Sequence, residues 1–99
     1  MRYQFDWAVE KEVQNVRKHG INFRRAATVF NDPNQLSIFD DDHSEHEDRW
    51  ITLGLDSNGT LRVVVHTFEL ANDNQANIRI ISARKATNTE AVQYNEGNE

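Results

Sequence analysis

Apolar positions recur along this chain with two different periods, and the change between them divides it into a helical first third and a stranded remainder. Val9, Val13 and Val16 follow one another at helical spacing up to His19, with Asp6 placed as an N-cap and Gly20 as a C-terminal stop. Asn22 can cap a second helix, in which Phe23, Ala26, Ala27 and Phe30 fall at i, i+3, i+4 and i+7 on one face. Asn31-Asp32-Pro33-Asn34 ends it. A short strand over Arg2–Phe5 precedes both helices, and Leu36–Phe39 reads as an edge strand.

From residue 49 onward the period is two. Trp50–Asp56 and Leu61–Phe68 flank Ser57-Asn58-Gly59-Thr60, and Asn-Gly is a strong signal for a two-residue hairpin loop. Such a loop puts Ser57 opposite Thr60, His66 opposite Ile51 and Arg49 opposite Phe68. Arg49 and His66 then become diagonal neighbours on one sheet face. Leu70–Ala76 reads as a polar turn, Asn77–Ala83 as a third strand, and Ala86 to about Tyr94 as a closing helix that frays from Gly97. The expected fold is α+β, with a small antiparallel meander, two N-terminal helices and a C-terminal helix in the order β-α-α-β-β-β-α. Residues 1–99 are read as one domain.

Composition narrows the function classes. Hydrophobic residues make up 37% and charged residues 27%, and no apolar run approaches the roughly 20 residues of a membrane span. The N-terminal residues lack the apolar stretch of a secretory signal. Cysteine is absent, which excludes disulfide and thiol chemistry and suits a cytoplasmic setting.

The net charge of −5 is concentrated. Residues 40–48 hold six carboxylates and no Lys or Arg, leaving the other ninety residues at +1. Basic clusters sit at Arg17-Lys18-His19, Arg24-Arg25 and Arg84-Lys85. A localised anion site fits this distribution; a broad footprint for long duplexes does not. His43 and His46 among the acidic residues match no defined metal-ligand spacing, so no metal and no cofactor are expected.

The block from Ile78 to Thr87 carries the most chemistry. A strand-like run holds Arg79, then ends in Arg84-Lys85 where a helix should begin, a place where phosphates can be held. This block also belongs to a longer pattern. Phe5-Asp6-Trp7, Asn15, Lys18-His19-Gly20, Phe23, Ala26 to Phe30 and Asp32-Pro33 come first. His43-Ser44, Glu47-Asp48-Arg49-Trp50, Thr52, Gly54, Val63 to Thr67, Ile78 to Thr87, Glu90 and Tyr94 follow. The chain thereby resembles the BrnT family of bacterial type II toxins almost from end to end.

The resemblance implies a RelE-like fold and an endoribonuclease that arrests translation. It also implies a hetero-oligomer with a BrnA-type antitoxin, a ribbon-helix-helix DNA-binding protein. Metal-independent RNA cleavage needs a base for the 2′-hydroxyl, cations for the phosphorane and an acid for the leaving 5′-oxygen. Arg49, Arg79 and Arg84 are the candidate phosphate ligands; the alternative for each is pairing with a carboxylate such as Glu47, Asp48 or Glu90. His66 and His19 are candidate acid–base groups, against a satisfied sheet histidine and a helix C-cap. Lys18, Lys85 and Tyr94 are candidate RNA contacts, although Tyr94 can equally pack the last helix onto the sheet. A non-catalytic module that docks an antitoxin and tunes its DNA binding is the competing function, favoured by the overall acidity and by Asn88-Thr89-Glu90-Ala91, which lacks basic residues.

Overall fold

Strand β6 (Gln75–Lys85) is the longest in the molecule, and its burial organises the rest. The computed structural model describes residues 1–98. The other strands are β1 (Arg2–Asp6), β2 (Leu36–Phe39), β3 (Arg49–Leu55), β4 (Leu61–Thr67) and β5 (Glu69–Asn72). They form one sheet in the order β1-β6-β4-β3-β2, with β5 also paired to β6. The β2–β3, β3–β4 and β4–β6 pairs are antiparallel, whereas β1 runs parallel to β6. The sheet is therefore mixed and six-stranded, not a three-stranded antiparallel meander. Ala76, Ile78, Ile80 and Ala83 are all buried on β6, so its backbone polar groups need partners along both edges. β1 supplies them from Gln75 to Arg79. The polar turn expected over Leu70–Ala76 contracts, because β5 continues to Asn72 and bonds β6.

Helix α1 (Val9–His19) ends as expected: Gly20 adopts φ 69° and its N–H bonds the Val16 carbonyl. Its start differs. Asp6 is the last residue of β1, paired beside Arg79, so it cannot turn to cap the helix; Ala8 is the N-cap and makes no side-chain cap bond. The valine stripe also stays outside, with Val9, Val13 and Val16 exposed by 67, 46 and 44%. What fastens α1 is Asn15, which is buried. Its Nδ2 donates to the carbonyls of Ala83 (2.9 Å) and Ile21 (3.1 Å), and its Oδ1 accepts the Ala83 N–H (2.9 Å). One amide side chain thus replaces a neighbouring strand where β1 stops.

Helix α2 (Phe23–Ala26) is capped by Asn22, whose Oδ1 accepts the Arg25 N–H, and continues as a 3₁₀ turn over Ala27–Asn31. Phe23, Ala26, Val29 and Phe30 are buried against Val64, Ile78, Ile80 and Ala83, filling one face of the sheet. Helix α3 (Asn88–Gly97) carries a Thr87–Glu90 capping box and covers only one end of the opposite face, where Tyr94 meets Leu53 and Val63. The helix persists to Gly97, which has no side chain because Leu36 lies there; a Cβ would come within 2.9 Å of Leu36 Cδ1.

The β3–β4 hairpin has a different register from the one its Asn-Gly loop predicts. Leu55 stands opposite Leu61, and five residues from Asp56 to Thr60 form the loop. The Asp56 carboxylate is the reason. It accepts the N–H groups of Asn58 and Thr60 and also binds Arg62 Nε (3.0 Å) and Arg25 Nε (3.2 Å). A wider turn wraps around this buried anion. His66 therefore faces Trp50, and Arg49 faces Thr67. A slip of one residue moves side chains to the other face, so Arg49 and His66 are not diagonal neighbours but lie on opposite sides of the sheet.

Candidate functional site

The two faces of the sheet have different chemistry, and the strand registers decide which residue goes where. On the covered face, His66 is only 2% exposed and rests edge-on against Phe30, with ring centroids 4.8 Å apart. Its Nδ1 donates to the Thr67 carbonyl (2.9 Å), which leaves Nε2 to accept from the Thr52 hydroxyl (2.6 Å); Thr52 in turn meets Ser37 Oγ at 2.7 Å. Burial drives the His66 pKa below the usual histidine range, partly countered by the bond to the Thr67 carbonyl. The imidazole is neutral, fully bonded and shielded from solvent.

The open face presents the arginines. Arg49 lies directly across from Thr67, and the Arg79 backbone N–H bonds the Thr67 hydroxyl from the other side (3.1 Å). Arg49 and Arg79 therefore flank Thr67. Arg84 pairs with Val63, which shares this face, but Val63 lies four residues along β4, about 13 Å away at strand rise. One phosphate cannot be held by all three. Lys85 alternates to the other side, opposite Arg62.

Each arginine has an acidic neighbour. Arg84 is bound at both nitrogens by Glu90 (2.8 and 2.8 Å), a bond that pulls the Glu90 pKa down to about 2. Arg79 Nε and Asp6 are 3.4 Å apart, both well exposed, and Arg49 meets Glu47 at 3.4 Å. Those two contacts are loose and accessible to solvent, so their energetic worth is small. Arg49 Nε is buried and has no hydrogen-bond partner among the described residues. Around Arg79 a polar hollow of about 390 Å³ is lined by Gln4, Asp6, Thr67, Glu69 and Asn77. Asp6, Thr67 and Glu69 were not among the site residues expected from the sequence. Only the parallel pairing of β1 with β6 sets Asp6 beside Arg79.

The remaining candidates scatter. Tyr94, read as an RNA contact, is buried and donates to Asp32 Oδ2 (2.6 Å). Burial, reinforced by this bond, pushes its pKa up to about 12. Asp32 also accepts the N–H groups of Leu55 and Asn34, so the pair clamps α3 to β3. Lys18 and His19 are exposed in the last turn of α1, on the helix that follows the β6 edge. In the acidic segment His43 pairs with Asp40 (3.0 Å).

A small α+β chain with a mixed sheet, one face sealed by helices and the other carrying basic side chains, is the class of protein this arrangement defines. A family model described as "Ribonuclease toxin, BrnT, of type II toxin-antitoxin system" matches residues 7–90. The chain belongs to this family of ribonuclease toxins. Its fold is similar to the crystal structure of the Brucella abortus ribonuclease toxin BrnT, with a TM-score of 0.59 at 16% identity, over 88% of this chain and 99% of that one. No curated protein sequence matches the chain. No helix among the described residues is long and apolar enough to cross a membrane.

Proposed function

We propose that this chain cuts RNA with its own side chains, without a metal ion, at the open face of the sheet around Thr67. The observation that supports this reading is the pairing of Arg49 and Arg79 across one residue. Two guanidinium forks there can grip the oxygens of a single phosphate, and Arg49 brings a buried N–H that still lacks an acceptor. In the reaction the 2′-hydroxyl loses its proton and its oxygen bonds to phosphorus. The bond to the 5′-oxygen breaks, and that oxygen takes up a proton from solvent water, leaving a 2′,3′-cyclic phosphate and a 5′-hydroxyl. Asp6, Glu47 and Glu69 are the proton acceptors beside the arginines. His66 faces the other way and holds the sheet together instead. Arg84, on the same face, serves a neighbouring phosphate once Glu90 releases it, whereas Lys85 and Lys18, read as RNA contacts, stand away from this face.

The activity arrests translation in the cytoplasm and is neutralised by a BrnA-type antitoxin, a ribbon-helix-helix DNA-binding protein. The test is cleavage of single-stranded RNA by the purified chain in EDTA. Wild type is expected to yield cyclic phosphate ends, and Arg79→Ala to lose at least a hundredfold in rate. A strict need for Mg²⁺, or full activity in that variant, overturns the mechanism. The competing reading, a non-catalytic partner of the antitoxin, draws support from the carboxylate beside each of Arg49, Arg79 and Arg84. Expression of the chain alone separates the two: a toxin stops growth and a docking module does not.

A further inference from the structure

The covered face opens at the end of the sheet where β3 begins. Tyr3, Phe30, Gln35, Ser37, Trp50, His66 and Phe68 line an aromatic pocket of about 260 Å³ there. Tyr3 and Phe68 expose 38 and 36% of their surface, and Phe39, 39% exposed, stands edge-on to Trp50 at 5.3 Å. Exposed aromatic rings clustered around a preformed pocket are the usual anchor of a protein–protein contact. No carboxylate lines the pocket itself. Its rim is different.

Phe39 and Trp50 are a cross-strand pair, and the residues between them in sequence are the acidic segment 40–48 and Arg49. The ladder closes just outside this pair, where the Asp40 N–H bonds the Arg49 carbonyl (2.8 Å). Six carboxylates therefore hang from the pocket wall. Among the described residues only His43 and Arg49 offer them partners. RNA would meet this negative rim before reaching the rings. A second copy of the chain would bring more negative charge, since each carries −5. The complementary occupant is a protein segment that is basic and carries an apolar or aromatic side chain.

We infer that the aromatic pocket and the acidic segment form one docking site for a basic segment of the antitoxin, an apolar anchor entering between Trp50 and Phe68 while lysines or arginines meet Asp40, Asp41, Asp42 and Glu45. This rests on the antitoxin partner named under the proposed function. It also separates the two surfaces: the antitoxin binds on the covered side of the sheet end and RNA on the open side, with β3 between them. Charges at a rim act mainly on the rate and salt dependence of association, and buried anchors on dissociation.

The experiment titrates the full chain with the small protein encoded by the adjacent reading frame, at several salt concentrations. Phe68→Ala is expected to weaken binding at least tenfold, through faster dissociation. The triple variant Asp41→Asn, Asp42→Asn, Glu45→Gln is expected to weaken it at low salt and flatten its salt dependence. All four positions are exposed, and thermal melting verifies that the variants fold. In a Trp7→Phe background, Trp50 fluorescence should respond to this protein and not to a single-stranded RNA oligonucleotide. Wild-type binding by either variant, or a Trp50 response to RNA instead, overturns the site and leaves the ribonuclease reading intact. No binding by the wild-type chain overturns the site together with its partner, while RNA cleavage in EDTA remains a separate result.

Discussion

The covered and open faces of this sheet are built from the same three strands, yet they obey opposite rules. On the covered face the buried polar side chains of the described residues have partners: Thr52 and His66 bond each other, and Asn15 satisfies both backbone groups of Ala83. Such groups stabilise the fold because leaving any of them unpaired in an apolar surround is costly. On the open face Arg49 and Arg79 are held loosely at 3.4 Å, and Arg49 Nε has no acceptor among the described residues. Polar groups left available on a supported surface are what a ligand can use. The comparison teaches that histidine, the residue most associated with proton transfer, here belongs to the scaffold, whereas the side chains free to do chemistry lie behind it.

That contrast can be broken in graded steps. Ile80→Ala, at a fully buried position under Phe30 and Phe23, is expected to lower unfolding free energy by about 2–5 kcal/mol in urea titration. Asn15→Ala strips three backbone groups of their partner and should cost about 2–4 kcal/mol, with amide exchange rising at Ala83 first. Neither change should alter RNA cleavage per folded molecule.

Acidification is a milder probe. The His66 pKa is depressed in the folded chain, so between that value and the ordinary 6.5 the unfolded chain binds more protons. This contribution to stability is complete above 6.5 and is lost as pH falls through that window; His66→Gln should flatten the melting-temperature profile there. Last in size is Arg79→Ala, an exposed residue whose removal should change stability by no more than about 0.5 kcal/mol. It is the same variant expected to abolish cleavage. A large loss of stability in Arg79→Ala, or a large loss of activity in Asn15→Ala, would erase the distinction between the faces.

Local signals in the sequence were dependable where the cause was local. Gly20 stops α1 because its left-handed conformation is cheap without a side chain, and Asn22 caps α2 through a bond to the residue three positions on; Asp6, drawn into β1 by pairing with a distant strand, does not cap α1. The amphipathic face of α2 follows from spacing alone. The valine stripe of α1 did not follow that logic, since a single buried amide outweighed three valines in choosing which side of the helix faces inward. The candidate site was legible in kind, as arginines at strand ends, but not in arrangement. Their grouping around Thr67 depends on registers that no single strand contains.

The linear order of residues thus determined the family, the α+β character, the helix boundaries set by Gly20 and Asn22, and the basic residues available for phosphate. Tertiary structure alone decided three things: that β1 closes onto β6 in parallel, that the Asp56 carboxylate widens the hairpin by one register, and that His66 and Arg49 consequently part to opposite faces. The physical reason is range. Capping and periodicity act within a few residues, whereas a sheet's pairing is chosen by which buried groups, brought together from distant segments, find partners at once.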